Sequence, residues 1–278
     1  MVMKLGLHQI TANELPPARL IELAAAVGCE EVCLFTHIPV AALPGDDAPT
    51  LFPVVDRNDL SELRSSLRVN GVTVGNVEFF PITVDMDIEI YREGFELAAA
   101  IGAKRAVTHI HDPHDASAVD ALGRLGELAA QHSLKLGLEF MGLTPACASI
   151  ERAAWFTRQV GLATVGIGAD ALHLIRTGGT PQDVARIPAE LFTYAQICDA
   201  DGLHSSGDYL HEALERKLPG AGDFPLAAFV AALPAGIAVD VEIPSFTRIA
   251  AGGSALDHAR EAVTRSRTLL EGIGSGRS

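Results

Sequence analysis

Positive charge is scarce in this chain: Lys and Arg number 21 against 35 Asp and Glu, a formal charge of −14, and no basic run interrupts the pattern. A phosphate backbone needs a basic patch, so nucleic acid and anionic membrane surfaces are excluded as partners. Long apolar runs are also missing. No stretch approaches the roughly 18 uninterrupted apolar residues of a membrane span, and residues 1–20 lack the basic-then-apolar order of a secretory leader. The expected location is therefore cytoplasmic. The four cysteines, Cys29, Cys33, Cys147 and Cys198, lack the paired spacing of a zinc site and are expected as reduced core thiols. Aromatics make up 5% of residues, which leaves Ala, Leu, Val and Ile to fill a core. No glycine-rich phosphate fingerprint follows the first apolar segment, where HQITANELP stands instead. That argues against a doubly wound dinucleotide-binding sheet.

What the chain does have is alternation. With 48% hydrophobic and 20% charged residues in 278, it has the profile of a globular protein with an ample core. Apolar, β-rich segments occupy 3–8, 31–35, 72–79, 105–111, 134–140, 164–170, 191–198 and 237–242. Between them lie stretches whose apolar residues recur at helical spacing: 16–27, 56–69, 86–101, 115–132, 150–160 and 226–233, a weaker one after Gly179, and a last one over 254–270. Pro16-Pro17, Ser149 and Thr180-Pro181 mark helix starts. Gly28, Gly71, Gly102 and Gly161 stand where a left-handed C-cap is needed. Eight such units of about 35 residues predict a single α/β domain, a (β/α)8 TIM barrel, over 1–271 with a flexible tail at 272–278. Residues 39–53 and 199–223 are the longest loops after strands.

Four polar residues stand alone at the ends of successive apolar segments: Glu139, Asp170, Gln196 and Glu242. In a closed parallel barrel they meet at the mouth where function is built. Three carboxylates and an amide oxygen make a hard shell suited to one divalent ion, Mn or Mg ahead of Co or Zn. Asp170 also has the position of a helix N-cap. Asp199 is an alternative ligand to Gln196, or a residue that orients the site. His8, Glu78, His109 and His111 also stand at strand ends, the two last with the period-two spacing of one face. Arg216 and Lys217 lie in a loop long enough to fold over the mouth.

These four residues in order on strands five to eight resemble the xylose isomerase-like TIM barrels, the sugar phosphate isomerase/epimerase or AP-endonuclease-2-like superfamily. The resemblance covers nearly the whole chain. It implies one divalent ion on Glu139, Asp170, Gln196 and Glu242, and substrate contact at His173, three residues after the aspartate. Ketose 3-epimerases of this group have His at the third ligand and Arg six residues later, where this chain has Gln196 and Gly202. Gln196 with Arg216 and the Leu218-Pro219-Gly220-Ala221-Gly222 segment looks more like the 3-dehydroshikimate dehydratase branch. The DNA-repair branch, with its metal cluster and basic surface, does not match a chain of this charge.

Both remaining branches imply a small polyhydroxylated substrate, a sugar or a cyclitol, and proton abstraction next to a carbonyl through an enediolate stabilised by the ion. In an isomerase or epimerase Glu139 and Glu242 would take and return the proton. In a dehydratase of the dehydroshikimate or inosose type His173 would be the base and Arg216 a carboxylate clamp. His8, Glu78, His111 and Arg216 are the expected substrate contacts. A barrel that only binds a small molecule is the third expectation. Exposed helices rich in Ala and Leu would suit a homodimer.

Overall fold

Short β-rich segments buried on both faces, each followed by an amphipathic helix, have one economical arrangement: the helices cover a parallel sheet closed on itself. The structure, a computed structural model describing residues 3–38 and 52–274, has that form. Its strands are β1 (Leu5–His8), β2 (Glu31–Phe35), β3 (Thr73–Glu78), β4 (Arg105–Thr108), β5 (Lys135–Glu139), β6 (Val165–Asp170), β7 (Phe192–Ile197) and β8 (Val239–Val241). They pair in chain order as a closed barrel, with β8 returning to β1 through Leu5 opposite Val239.

The outer layer is built from α1 (Pro17–Ala26), α2 (Leu60–Asn70), α3 (Arg92–Ala100), α4 (Asp115–Gln131), α5 (Ile150–Val160), α6 (Ala171–Arg176), α7 (Pro181–Arg186), α8 (Tyr209–Leu214), α9 (Leu226–Ala232), α10 (Phe246–Ala250) and α11 (Ala255–Gly274). The expected caps are present. Ser149 Oγ accepts from Arg152 N at 3.2 Å, Thr180 and Asp183 form a reciprocal capping box, and Gly71 and Gly161 adopt left-handed φ of 67° at the ends of α2 and α5.

Three differences from the sequence pattern stand out. β4 ends at Thr108 rather than 111, because His109 O and His111 N turn to Ile82 in the loop after β3. The helices α6, α8 and α10, of 6, 6 and 5 residues, do not show in the periodicity; two turns are too short to display an apolar stripe. α11 continues through Gly274, past the expected boundary at 271. The remainder of the expected tail, 275–278, and most of the loop after β2, 39–51, lie outside the described residues.

The barrel interior is polar at its amino end. Glu31 accepts from Lys104 Nζ at 2.5 Å and Arg105 Nη2 at 2.9 Å, Arg105 Nε donates to Asn76 Oδ1 at 2.5 Å, and Asn76 donates to Asp240. This network closes the end opposite the mouth, the one that serves stability in such barrels. All four cysteines are buried and free, as expected. Among the described residues no helix is long and apolar enough to cross a membrane.

Candidate metal centre

Strand register brings the four strand-end residues to one face. Glu139 pairs with Gly168, two residues before Asp170; Asp170 pairs with Gln196; Gln196 pairs with Asp240, two residues before Glu242. Side chains in register, or two residues apart on a strand, point the same way. All four are buried, with 3%, 0%, 1% and 6% exposure for Glu139, Asp170, Gln196 and Glu242. Such groups are stable inside a protein only with partners.

The partners are specific. Glu139 Oε1 lies 3.2 Å from His173 Nε2, and Oε2 accepts from the Tyr194 hydroxyl at 3.0 Å. Asp170 uses Oδ1 to cap α6, accepting from His173 N at 3.0 Å, and Oδ2 to accept from Arg216 Nη1 at 2.7 Å. The carboxylate that caps α6 thus also pairs with Arg216. Arg216 Nη2 reaches Glu242 Oε1 at 3.0 Å, and its Nε donates to Ala213 O at 3.0 Å. Two oxygens are left over: Gln196 Oε1 and Glu242 Oε2 are buried with no hydrogen-bond partner.

The electrostatics differ from one acid to the next. Burial opposes ionisation of Glu139, but the nearby imidazoles of His109, 3.7 Å from Oε2, and His173, 3.2 Å from Oε1, outweigh it and hold this carboxyl well below the usual range. Burial pushes Glu242 up to about 8, offset only in part by Arg216 and His8. Burial works against the Arg216 charge as well, and Asp170 and Glu242 more than restore it.

The other expected residues fall at or near the same mouth. Glu78, His111, Glu139, His173, Arg216 and Glu242 line a cavity of about 440 Å³. His8 reaches this cavity only through Glu78, its Nε2 lying 2.7 Å from Glu78 Oε1. Cys33 is close to both, but burial raises its thiol well above the ordinary value. His109 and His111 face the cavity together, their rings 6.4 Å apart. Asp199 stands apart from the ring of acids: it accepts from Ala200 N at 2.9 Å, Phe224 N at 3.0 Å and Gly220 N at 2.9 Å. It therefore anchors the 218–224 turn behind Arg216, and Gly222 is required there because a Cβ would overlap Ala200 O and Asp199.

Two tyrosines escape a reading of the sequence. Tyr194 lies two residues before Gln196, on the same strand face, and crosses the barrel to Glu139; Cβ atoms at Gly137 or Gly168 would overlap its ring. The period-two step from Gln196 and the glycines on β5 and β6 are the available signal. Tyr209, on α8, stacks on His173 with ring centroids 5.7 Å apart at 12°, its hydroxyl 2.7 Å from Nδ1. Nothing local to the sequence pairs these two. Both ring nitrogens of His173 are thus engaged.

The residues fit a hard divalent ion. Of the expected ligands, Glu139 and Asp170 offer ligand atoms within 4.8 Å of each other and of His173, a group that does not include Glu242; the orphaned oxygens of Gln196 and Glu242 are further donors a cation would satisfy.

Comparison with known proteins bears on the fold and the family. In sequence, the chain is similar to 3-dehydroshikimate dehydratases of Pseudomonas aeruginosa, 32% identical over 113 residues, and Pseudomonas putida, 28% over 114. These alignments cover 40% and 41% of this chain and 18% of each relative, so the matched stretch spans less than a fifth of their length. Among solved structures the barrel superposes on a xylose isomerase-like TIM barrel/4-hydroxyphenylpyruvate dioxygenase fusion protein (TM-score 0.81, 19% identity, 98% of this chain and 44% of that one). It also superposes on the IOLI protein with a bound zinc atom (0.80, 17%, 98% and 99%) and on L-ribulose 3-epimerase (0.73, 14%, 99% and 97%). At these identities the structural likeness is one of fold. Residues 21–268 match the family described as xylose isomerase-like TIM barrel, and the chain belongs to that family.

Proposed function

We propose that this barrel is a divalent-metal-dependent isomerase or epimerase that moves a proton at the carbon next to a carbonyl in a small hydroxylated substrate. The observation that carries the reading is the pair of buried, unpartnered oxygens, Gln196 Oε1 and Glu242 Oε2, on the same face as Glu139 and Asp170. Unmet buried acceptors cost stability, and a cation at this mouth would meet both. Glu139, Asp170, Gln196 and Glu242 would hold the ion. When bound, it would supply Lewis-acid polarisation of the substrate carbonyl.

The proton chemistry belongs to the side chains. Glu139, oriented by Tyr194 and His173, takes the proton from carbon, and Glu242 returns one from across the cavity. His173 acts through Glu139, since its Nε2 faces that carboxylate and its Nδ1 faces Tyr209. Arg216 holds Asp170 and Glu242 in place with two of its nitrogens.

A dehydratase is the second reading, favoured by the similarity to the two dehydroshikimate dehydratases and by Gln196 in place of histidine. It is weakened by Arg216, whose guanidinium is already occupied by protein acceptors and has little left for a substrate carboxylate. Ultraviolet absorbance separates the two: a dehydratase creates a conjugated product and a rising band, whereas proton transfer within a ketose leaves the spectrum flat. Glu139→Gln tests both against a barrel that only binds. Retained turnover in that variant would overturn the assignment of Glu139 as the base and as a ligand of the ion.

A further inference from the structure

The cavity in front of the acids has two kinds of lining. Glu78, His109, His111, Glu139, His173 and Glu242 are among its polar groups. Ile10, Phe35 and Phe52, which also line it, form an apolar cluster of their own, separate from the main core, with Phe79 and Leu214 packed against it. Phe35 contacts Phe52 and Phe79 edge-on, at centroid separations of 5.3 and 6.2 Å. At the rim Leu143 and Leu210 remain 43% and 45% exposed, although both line the cavity. A wall of Phe, Ile and Leu offers no hydrogen-bond partner. A sugar with a hydroxyl on every carbon would bury several of them unmet against it.

We infer that the substrate carries its oxygens at one end only: the site takes an amphipathic carbonyl compound whose hydroxylated head meets the acids and whose apolar body, a ring or short alkyl chain, lies against Phe35, Phe52, Phe79 and Leu214. The inference rests on the metal-centre reading for the head and on the apolar wall for the body. A cavity of about 440 Å³ is of the size that encloses such a molecule. Its body would also cover Leu143 and Leu210, which water now meets.

The test uses two chelating probes that share a head and differ in body, acetohydroxamate and benzohydroxamate, titrated by calorimetry into the full chain with and without Mn. Elemental analysis of the same samples reports metal separately. Benzohydroxamate is expected to bind at least tenfold more tightly than acetohydroxamate. Leu143→Asn and Leu210→Asn, at exposed positions that do not threaten folding, should each reduce that preference at least threefold and leave acetohydroxamate unchanged. Equal affinities within twofold, or no binding of benzohydroxamate at millimolar concentration, overturn the inference. Retained Mn with equal affinities sinks the apolar subsite and spares the metal centre. Absent Mn with a retained aromatic preference does the reverse.

Discussion

Arg216 and Asp170 form an ion pair sealed from solvent, Nη1 to Oδ2 at 2.7 Å, with side-chain exposures of 2% and 0%. The same guanidinium holds Glu242. An isolated charge at this depth is untenable, so the three groups form a unit: removing the cation leaves two acids to repel each other in a medium that screens little. Arg216→Met should therefore lower the stability of the metal-free protein by about 3–5 kcal/mol. Added Mn should return more stability to the variant than to wild type, since the ion then becomes the main positive charge at Asp170 and Glu242; at a hundredfold excess over Kd binding contributes about 2.7 kcal/mol. Urea unfolding with and without Mn measures both. An unchanged midpoint would count against the unit.

Tyr194→Phe removes the hydroxyl that donates to Glu139 and leaves a buried carboxylate oxygen short of a donor. The expected cost is about 1–3 kcal/mol, together with a fall in kcat that exceeds any change in KM. Gly168→Ala attacks the same contact from the other side, because the new Cβ would overlap the Tyr194 ring; overpacking of this kind costs about 1–3 kcal/mol. Combining it with Tyr194→Leu should recover part of that loss. Strict additivity in thermal unfolding would mean that the two residues do not press on one another.

Asp199→Ala frees three backbone N–H groups, those of Ala200, Gly220 and Phe224. Hydrogen exchange at Gly220 and Phe224 should accelerate, and Arg216, two residues before this turn, should become less fixed. Unchanged protection at those two amides would remove Asp199 from the positioning of the site.

The barrel is legible in the sequence because its signals are local and repeated: helix caps, C-terminal glycines and eight apolar segments each occur within a few residues. The three acids and the amide are legible because Glu139, Asp170, Gln196 and Glu242 are polar interruptions at equivalent places in successive repeats. What sits between them is not. Tyr209 reaches His173 from α8, 36 residues away, and Tyr194 meets Glu139 across the barrel, 55 residues away; no periodicity reports such distances. Arg216 is expected near the mouth, yet its two acid partners follow from how its backbone is held, Arg216 N donating to Pro244 O at 2.9 Å, which is a matter of loop conformation. Asp170 illustrates the converse: N-cap and site residue look like alternatives in sequence, whereas the cap uses one oxygen only and the other is left to hold Arg216 at the mouth.

Glu31 gives the fold a pH signature at the amino end of the barrel. Burial works against its charge, but Lys104 and Arg105 hold the carboxyl below its ordinary value of 4.5. A depressed acid contributes fully above its unfolded pKa and loses that contribution as pH falls through the folded one. The stability difference between wild type and Glu31→Gln should thus be largest at neutral pH, about 3 kcal/mol, and shrink below pH about 4.5. Denaturant midpoints from pH 7 to 3.5 would show it. A gap that widened on acidification would have the wrong sign.

The central claim is the metal centre, and metal content tests it most directly. After dialysis into metal-free buffer and readdition of Mn, wild type should retain close to one ion per chain by elemental analysis. Glu242→Gln, which replaces the unpartnered Oε2 with an amide group, should retain far less while remaining folded by circular dichroism. Equal retention in the two proteins, or none in wild type, would contradict the account.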